Sequence, residues 1–234
     1  MRGYFVVAVI GIGALAGGRA YWKANEPVAY EPSPHFAAIN DNSTSQVTNC
    51  TVWPNQMSAA MKKMTIGPES KYFVVTLGSQ AKSSFEPILQ IPPTPIPLAG
   101  ASNFSGDEDL RSVLKAHCET FGTVPLSSIL RAVRVAIDQL KELGCGRPET
   151  GTCRVWLKSD LEDTVSRMQI EAPNKGSLSN ELIDVHICGY AAVQGGGGPR
   201  GEQVEQLKRI WLSQFTQPAR VAFAPFCVAG EEGE

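Results

Sequence analysis

The sequence predicts an α/β fold with a doubly wound, mostly parallel central sheet and helices on both faces. Short apolar segments of strand type alternate with longer segments of helical spacing, a pattern typical of a parallel sheet covered on both sides. The chain has 234 residues, of which 43% are hydrophobic, so it can bury the core of one such domain. This composition excludes intrinsic disorder for most of the chain.

The charge balance argues against one class of function. Lys and Arg number 21 and Asp and Glu number 23, which gives a formal net charge of -2. A protein whose main task is to grip nucleic-acid phosphates carries an excess of basic residues. We therefore expect no nucleic-acid partner.

The N-terminus carries an uncharged stretch, residues 3–18, between two arginines. A helix of that length reaches roughly 24 Å, less than the ~30 Å hydrocarbon core of a bilayer. The length, with Ala14-Leu15-Ala16 near its end, is typical of a secretory signal. We predict that residues 1–19 are a signal peptide, or a signal-anchor that attaches the chain to a membrane through residues 3–18, and that a linker follows over 20–34. Both versions predict an extracytoplasmic protein: periplasmic, secreted or membrane-anchored.

A second interpretation of the same region stays open. A β-type run over 6–10 followed by Gly11-x-Gly13-x-x-Ala16 matches a strand that enters a dinucleotide-binding turn, with Glu31 as the acid for the ribose. Such a unit needs a full helix and a second buried strand after the turn. The prolines at 27, 32 and 34 leave little room for either, so we favour the signal.

The elements follow in a regular order along the chain. The first strand is a short apolar run over 35–40 that stops at a polar loop, and the clearest helix is opened by Thr123-Val124-Pro125 and ended by Gly144. Pro92–Pro97 reads as an extended connection rather than a strand centre. The remaining strands are expected at 72–77, 88–91, 154–158, 183–187 and 220–224, and the remaining helices at 53–64, 107–117 and 204–215.

Oxygen-bearing side chains gather where two of these strands end. The first strand stops at Asp41 with a Ser-rich loop behind it, and the strand 154–158 stops at Ser159-Asp160. Thr123 stands just before a helix, where its hydroxyl can face the same edge. Ligands of an open parallel sheet bind beyond the carboxyl ends of its strands. Two carboxylates and three hydroxyls are hard donors, so the predicted cofactor is Mg²⁺ or Mn²⁺ and zinc is disfavoured.

Three features in this order resemble the von Willebrand factor type A (VWA) domain. They are Asp41-x-Ser43-x-Ser45 after a strand, Gly122-Thr123 before a helix and Ser159-Asp160 after a strand. The family carries this set as a metal-ion-dependent adhesion site. The resemblance covers residues 35–228 and implies a Rossmann-like three-layer sandwich, with an acidic tail left over at 229–234.

The resemblance also implies a role for each residue of the site. Ser43, Ser45 and either Thr123 or Asp160 would contact the ion directly, whereas Asp41 and the remaining group would act through water. In the family the ion keeps an open position, which a carboxylate of a protein partner completes. The expected function is therefore adhesion, that is, protein–protein interaction through a bound divalent cation.

The six cysteines form an even set, which fits an exported chain. None has the Cys-x-x-Cys spacing of a zinc or redox site. The strand arrangement that the resemblance implies brings them together in pairs: Cys50 with Cys118, Cys145 with Cys153, and Cys188 with Cys227. Buried free thiols stay open as the alternative, because sequence does not give the Cα separations that a disulfide needs.

Catalysis finds little support in the sequence, and we expect no enzyme. There is no Gly-x-Ser-x-Gly elbow, and the loop 195–198 lacks the Gly-Lys-Ser/Thr ending of a phosphate-binding loop. His35, His117 and His186 each fit a packed or solvated position. The alternatives to adhesion are a structural scaffold of the same fold, a nucleotide-dependent enzyme, or a metal-assisted hydrolase whose only candidate base is Glu162.

Overall fold

A six-stranded sheet forms the centre of the fold. The structure is a computed structural model that describes residues 32–42, 49–64, 66–77, 87–96, 98–99, 103–104, 107–120, 128–147, 150–161, 176–190 and 202–227. The strands are β1 (Phe36–Asp41), β2 (Lys71–Leu77), β3 (Ile88–Pro95), β4 (Leu98–Ala99), β5 (Asn103–Phe104), β6 (Cys153–Lys158), β7 (Ile183–Cys188) and β8 (Val221–Ala224). The α-helices of the described residues are α1 (Trp53–Lys62), α2 (Asp107–Cys118), α3 (Ile129–Glu142) and α4 (Glu202–Gln214).

The strand order in the sheet is β3-β2-β1-β6-β7-β8, and β4 and β5 form a separate two-stranded ladder. β1 pairs in parallel with β2 and with β6, and β6, β7 and β8 continue in parallel. Only the edge strand β3 is antiparallel to its neighbour within this sheet. The chain thus winds outward from β1 in one direction and then, from β6 onward, in the other. The prediction of an α/β fold around a mostly parallel sheet is confirmed.

The two faces of the sheet carry separate cores. On β1, Ala37 and Ile39 pack into the core that includes α3 and α4, and Phe36 and Ala38 pack into the core that includes α1 and α2. Every residue of β1 is buried. A parallel strand covered on both faces buries successive side chains, which is why this segment is a continuous apolar run rather than an alternating one.

Helix α3 begins later than the sequence predicts. Its first residue is Ile129, and Ser128 is the N-cap residue, with φ -116° and ψ 62°. These angles lie outside the helical region, so the helix cannot run through Ser128 from a start at Pro125. Its end agrees with the prediction, because Gly144 follows the C-cap residue at φ +98°, a conformation that glycine adopts freely.

The proline-rich segment also differs from its prediction. Pro92, Pro93 and Pro95 belong to β3 instead of to a connection. β3 is the antiparallel edge of the sheet, with irregular register against β2 at Val74. Proline is tolerated at such an edge because its missing N–H can face away from the neighbouring strand.

The predictions for the two ends of the chain lie largely outside the described residues. These are the signal or anchor over 1–19, most of the linker over 20–34 and the acidic tail over 229–234. At the described end of the linker, the Ser33 hydroxyl accepts a 3.3 Å hydrogen bond from the Glu69 N–H. In the described parts of the chain, none of the helices combines the length and the apolar character that crossing a bilayer requires.

Candidate functional site

The candidate site lies where the strand order reverses. β1 and β6 are parallel neighbours, and Asn40 on β1 is in register with Lys158 on β6. Asp41 is the last residue of β1, and Ser159 and Asp160 follow directly after β6. Because the two strands run in the same direction, these residues share the carboxyl edge of the sheet. This edge at the reversal is where doubly wound sheets bind their ligands.

A buried hydroxyl joins the two strand ends. The Ser159 Oγ donates a 2.9 Å hydrogen bond to Oδ2 of Asp41. The same oxygen accepts a 3.1 Å hydrogen bond from the N–H of Leu161. Asp41 and Ser159 are fully buried, and Asp160 is 2% exposed. Ser159 therefore fixes one carboxylate and shapes the turn that carries the other.

The importance of Ser159 itself was not predicted, although a signal for it exists in the sequence. Residues 155 and 157 of β6 belong to the same core as residues 37 and 39 of β1. Side chains alternate along a strand, so positions 159 and 41 continue on that one face. The alternation could therefore have indicated a contact between Ser159 and Asp41.

The turn after Asp160 has an unusual backbone. Leu161 has φ 69°, in the left-handed region that residues other than glycine rarely adopt. Its carbonyl accepts a 3.1 Å hydrogen bond from Nε1 of Trp211 on α4. Nothing in the local sequence predicts this contact, because 50 positions separate the two residues.

A half-buried cation, Lys158, lies near the Asp41 carboxylate. Burial lowers the pKa of the Lys158 ammonium, and the negative charge of Asp41 acts in the opposite direction. Lys158 is therefore an electrostatic neighbour of Asp41, even though its side chain starts from the other face of β6.

Gly189, just after β7, allows the strand ends to approach closely. Its φ is +92°, and a Cβ at this position would lie 3.3 Å from the Cys227 Sγ and 3.4 Å from the Lys158 Cγ. The Ser159 N–H donates to the Cys188 carbonyl at 2.9 Å, so β7 directly supports the turn after β6. A side chain at position 189 would press against the Cys227 sulfur and the Lys158 side chain.

The three predicted cysteine pairs are confirmed as disulfides. The Cα separations are 5.5 Å for Cys50–Cys118, 6.0 Å for Cys145–Cys153 and 5.0 Å for Cys188–Cys227. The first ties the turn before α1 to the end of α2, and the third joins the last residue of β7 to the segment after β8 at the carboxyl edge. The second joins the end of α3 to the start of β6 at the opposite edge. All six thiols of the chain are thus paired.

Three of the five predicted metal ligands lie outside the described residues. Ser43 and Ser45 fall in the segment 43–48, and Thr123 falls in 121–127. The structure brings together the strand ends that carry the other two, Asp41 and Asp160. Glu162 and the glycine-rich loop 195–198 likewise lie outside the described residues.

The donor chemistry at this edge fits a small hard cation. Two buried carboxylate groups and the Ser159 hydroxyl are oxygen donors of the kind that Mg²⁺ and Mn²⁺ prefer. Across the described segments, no group of three or more His, Cys, Asp or Glu side chains comes together. A site here would depend on serine and threonine hydroxyls to complete its ligands, as the sequence pattern predicts.

His35 lies at the other edge of the sheet. Its Nε2 donates to the Leu143 carbonyl at 3.0 Å, and its Nδ1 accepts from the Lys71 N–H at 3.1 Å. Both ring nitrogens are engaged in joining α3 and β2 to the start of β1. This geometry agrees with the expectation of a packed histidine.

No family model and no curated protein matches this sequence. Solved structures that are similar include a manganese-loaded TRAP protein of Plasmodium vivax, with 12% identity over 83% of this chain and 69% of that chain and a TM-score of 0.42. Proximal thread matrix protein 1 of the mussel byssus has 12% identity over 84% and 45%, with a TM-score of 0.44. The pilus adhesin SpaC of Lactobacillus rhamnosus GG has 7% identity over 85% and 28%, with a TM-score of 0.45. All three TM-scores are below 0.5.

Proposed function

We propose that this chain is an extracytoplasmic VWA-type domain that mediates protein–protein interaction through a bound Mg²⁺ or Mn²⁺. The proposed ligands are Asp41, Ser43, Ser45, Thr123 and Asp160. The observation that supports the proposal is that Asp41 ends β1 and Asp160 follows β6, its parallel neighbour, so that two buried acids lie on adjacent strand ends at the reversal point of the sheet.

The energetic reason is the cost of placing two acids in a buried region. A carboxylate removed from water is strongly destabilised unless charges or hydrogen bonds compensate it, and two neighbouring carboxylates repel each other. A hydrogen bond from Ser159 and the half-buried Lys158 are among the contacts that offset this cost at Asp41. A divalent cation at the same edge would offset more, and hydroxyl ligands would add no further negative charge.

The ion would supply positive charge with one open coordination position at the rim of the sheet. A carboxylate of a protein partner is the group that completes such a position. This contact is stronger than one exposed salt bridge because the ion carries two charges and sits in a region shielded from water. Chemistry on a bound substrate is not required.

The cysteines support the proposed compartment. All six are paired, and disulfides persist in oxidising compartments such as the periplasm and the cell exterior. Export through residues 1–19, with either cleavage or membrane attachment through residues 3–18, is part of the proposal.

The metal site is tested by thermal unfolding of the full chain after treatment with EDTA. Mg²⁺ or Mn²⁺ should raise the melting temperature of the wild type, since a ligand at 100 times its Kd stabilises by about 2.7 kcal/mol. Asp41→Asn keeps the side-chain volume but removes the charge and should abolish the rise. Asp138→Asn, at an exposed position of α3, is the matched control and should behave as the wild type. The absence of a rise in the wild type, or an equal rise in Asp41→Asn, would contradict the proposal.

The open coordination position is tested with a peptide probe. Mn²⁺-loaded protein should change its electron paramagnetic resonance spectrum when a glutamate-containing peptide is added, but not with the same peptide carrying glutamine. Binding of both peptides, or of neither, would favour a scaffold whose ion recognises no partner carboxylate.

A further inference from the structure

The turn that carries Asp160 is held in a conformation that its own sequence does not favour. Leu161 has φ 69°, although leucine has a Cβ that crowds the following carbonyl in this region. The residue is fully buried. A strained backbone of this kind persists only when surrounding contacts determine it, and such positions concentrate at functional sites.

Three contacts determine the conformation of Leu161. Its N–H donates to the Ser159 Oγ at 3.1 Å, and its carbonyl accepts from the Trp211 Nε1 at 3.1 Å. Its side chain belongs to the same core as the Trp211 ring, which is 1% exposed. The two hydrogen bonds grip the peptide groups on both sides of the strained Cα.

These bonds form one continuous path from helix α4 to the end of β1. Trp211 holds the Leu161 carbonyl, the Leu161 N–H is bound by Ser159, and Ser159 donates to Asp41. Asp160 lies in the chain between Ser159 and Leu161, the two residues that this path holds in place. A change at Trp211 therefore acts first on the backbone of Leu161, and through it on Asp160.

We infer that Trp211 is a positioning residue, whose indole N–H holds the 159–161 turn so that Asp160 points toward the cation. The inference rests on the proposed function for the identity of the ion, but the contact by which Trp211 holds the turn exists in the chain without ions. A purely structural Trp211 would fill the core and would have its N–H satisfied by any nearby carbonyl. The two roles differ in whether ion affinity depends on the N–H.

The test compares Trp211→Phe with Trp53→Phe in the full chain. Trp211→Phe retains an aromatic ring and removes the N–H donor. Trp53 is the matched control, because it is 1% exposed but belongs to the core on the other face of the sheet. Mn²⁺ affinity is measured from the electron paramagnetic resonance signal of the free ion, and stability from melting without ions.

We expect Trp211→Phe to weaken Mn²⁺ binding about tenfold, the lower range for loss of a group that orients a ligand. Trp53→Phe should lower the melting temperature while leaving the Mn²⁺ affinity unchanged. Without ions, the Leu161 amide should exchange its hydrogen faster in Trp211→Phe than in the wild type. Unchanged affinity in Trp211→Phe, or an equal loss in both variants, would overturn the inference.

A second variant keeps the test decisive if Trp211→Phe does not fold. Ser159→Ala retains Trp211 but removes the acceptor of the Leu161 N–H, so the turn loses its other hydrogen bond and Mn²⁺ binding should weaken in the same direction. Unaltered affinity in this variant would overturn the inference. If the wild type binds no Mn²⁺, the proposed function fails. Whether Trp211 holds the turn is then tested by hydrogen exchange of the Leu161 amide. Equal exchange rates in Trp211→Phe and in the wild type would refute that role.

Discussion

Ser159 and Asp41 are 118 positions apart in the chain, yet the serine hydroxyl donates a 2.9 Å hydrogen bond to the aspartate carboxylate. This contact joins the two strands that flank the reversal of the sheet. It also restrains the turn after β6, because the same oxygen accepts the Leu161 N–H. One hydroxyl thus links the end of β1 to the turn that carries Asp160.

We predict that Ser159→Ala lowers the free energy of unfolding by about 2–3 kcal/mol, measured by urea denaturation without divalent ions. A hydrogen bond to a charged group contributes about 1.5–3 kcal/mol, and the buried Leu161 N–H also loses its partner. Ser213→Ala is the control, because the Ser213 hydroxyl bonds the Ile210 carbonyl within α4 and is partly exposed. Its effect should stay below about 0.5 kcal/mol. Similar effects of the two substitutions would contradict the assigned role of Ser159.

The second prediction concerns pH and His35. Burial lowers the pKa of His35 from 6.5, the charge of Lys71 lowers it further, and the Leu143 carbonyl and Glu69 act in the opposite direction. Protonation of Nδ1 would also break the hydrogen bond from the Lys71 N–H. The unfolded chain then binds more protons than the folded chain at pH values between the folded pKa and 6.5. The free energy of unfolding should therefore fall as the pH drops below about 6.5.

This pH dependence is measured by urea unfolding at several pH values between neutral and mildly acidic. The contribution of His35 should reach at most about 1.4 kcal/mol per pH unit. His35→Gln should be less stable at neutral pH but should lose this part of the slope. His117→Gln, on α2, is the control and should retain it. A wild-type slope that persists unchanged in His35→Gln would show that another group titrates.

The third prediction separates backbone strain from steric conflict at Gly189. Gly189 and Gly146 both have φ +92°, but a Cβ at 189 would lie 3.3 Å from the Cys227 Sγ, whereas a Cβ at 146 would meet its nearest atom at 3.6 Å. Alanine at either position carries the left-handed penalty of about 1–2 kcal/mol. Gly189→Ala should cost more than Gly146→Ala, since only the former displaces a disulfide sulfur. Equal costs in chemical denaturation would rule out the steric contribution.

The fourth prediction ranks two disulfides by the loops that they close. Cys50–Cys118 spans 68 positions and Cys145–Cys153 spans 8. A longer loop loses more conformational entropy in the unfolded chain, about 4.4 kcal/mol for the first and about 2.5 kcal/mol for the second. Replacing both cysteines of a pair by alanine should thus destabilise the chain more for Cys50–Cys118, as measured by thermal or urea unfolding. A larger loss for Cys145–Cys153 would mean that native contacts, and not loop entropy, dominate.

The sequence alone determined the order of the elements and the acids at their ends. The patterns of β1 and α3 can be recognised within their own segments. A strand buried on both faces, such as β1, is a continuous apolar run, and a helix buried on one face, such as α3, has apolar residues at helical spacing. Asp41 and Asp160 could be assigned to one edge of the sheet because parallel strands end on the same side. The predicted start of α3 at Pro125 was wrong, because the non-helical backbone angles of Ser128 place the first helical residue at Ile129.

Only the tertiary structure decided how the candidate site is held together. The contact of Ser159 with Asp41 joins residues 118 positions apart, and that of Trp211 with Leu161 joins residues 50 positions apart. Alternation along the strands puts Ser159 and Asp41 on one face, but their hydrogen bond depends on the pairing of β1 with β6, and the Trp211 contact has no periodic signal at all. The left-handed conformation of Leu161 likewise cannot be predicted from the sequence, because leucine disfavours it and the surrounding hydrogen bonds impose it. The local sequence determines which side chains are present at the candidate site, whereas the packing of distant elements fixes their orientation.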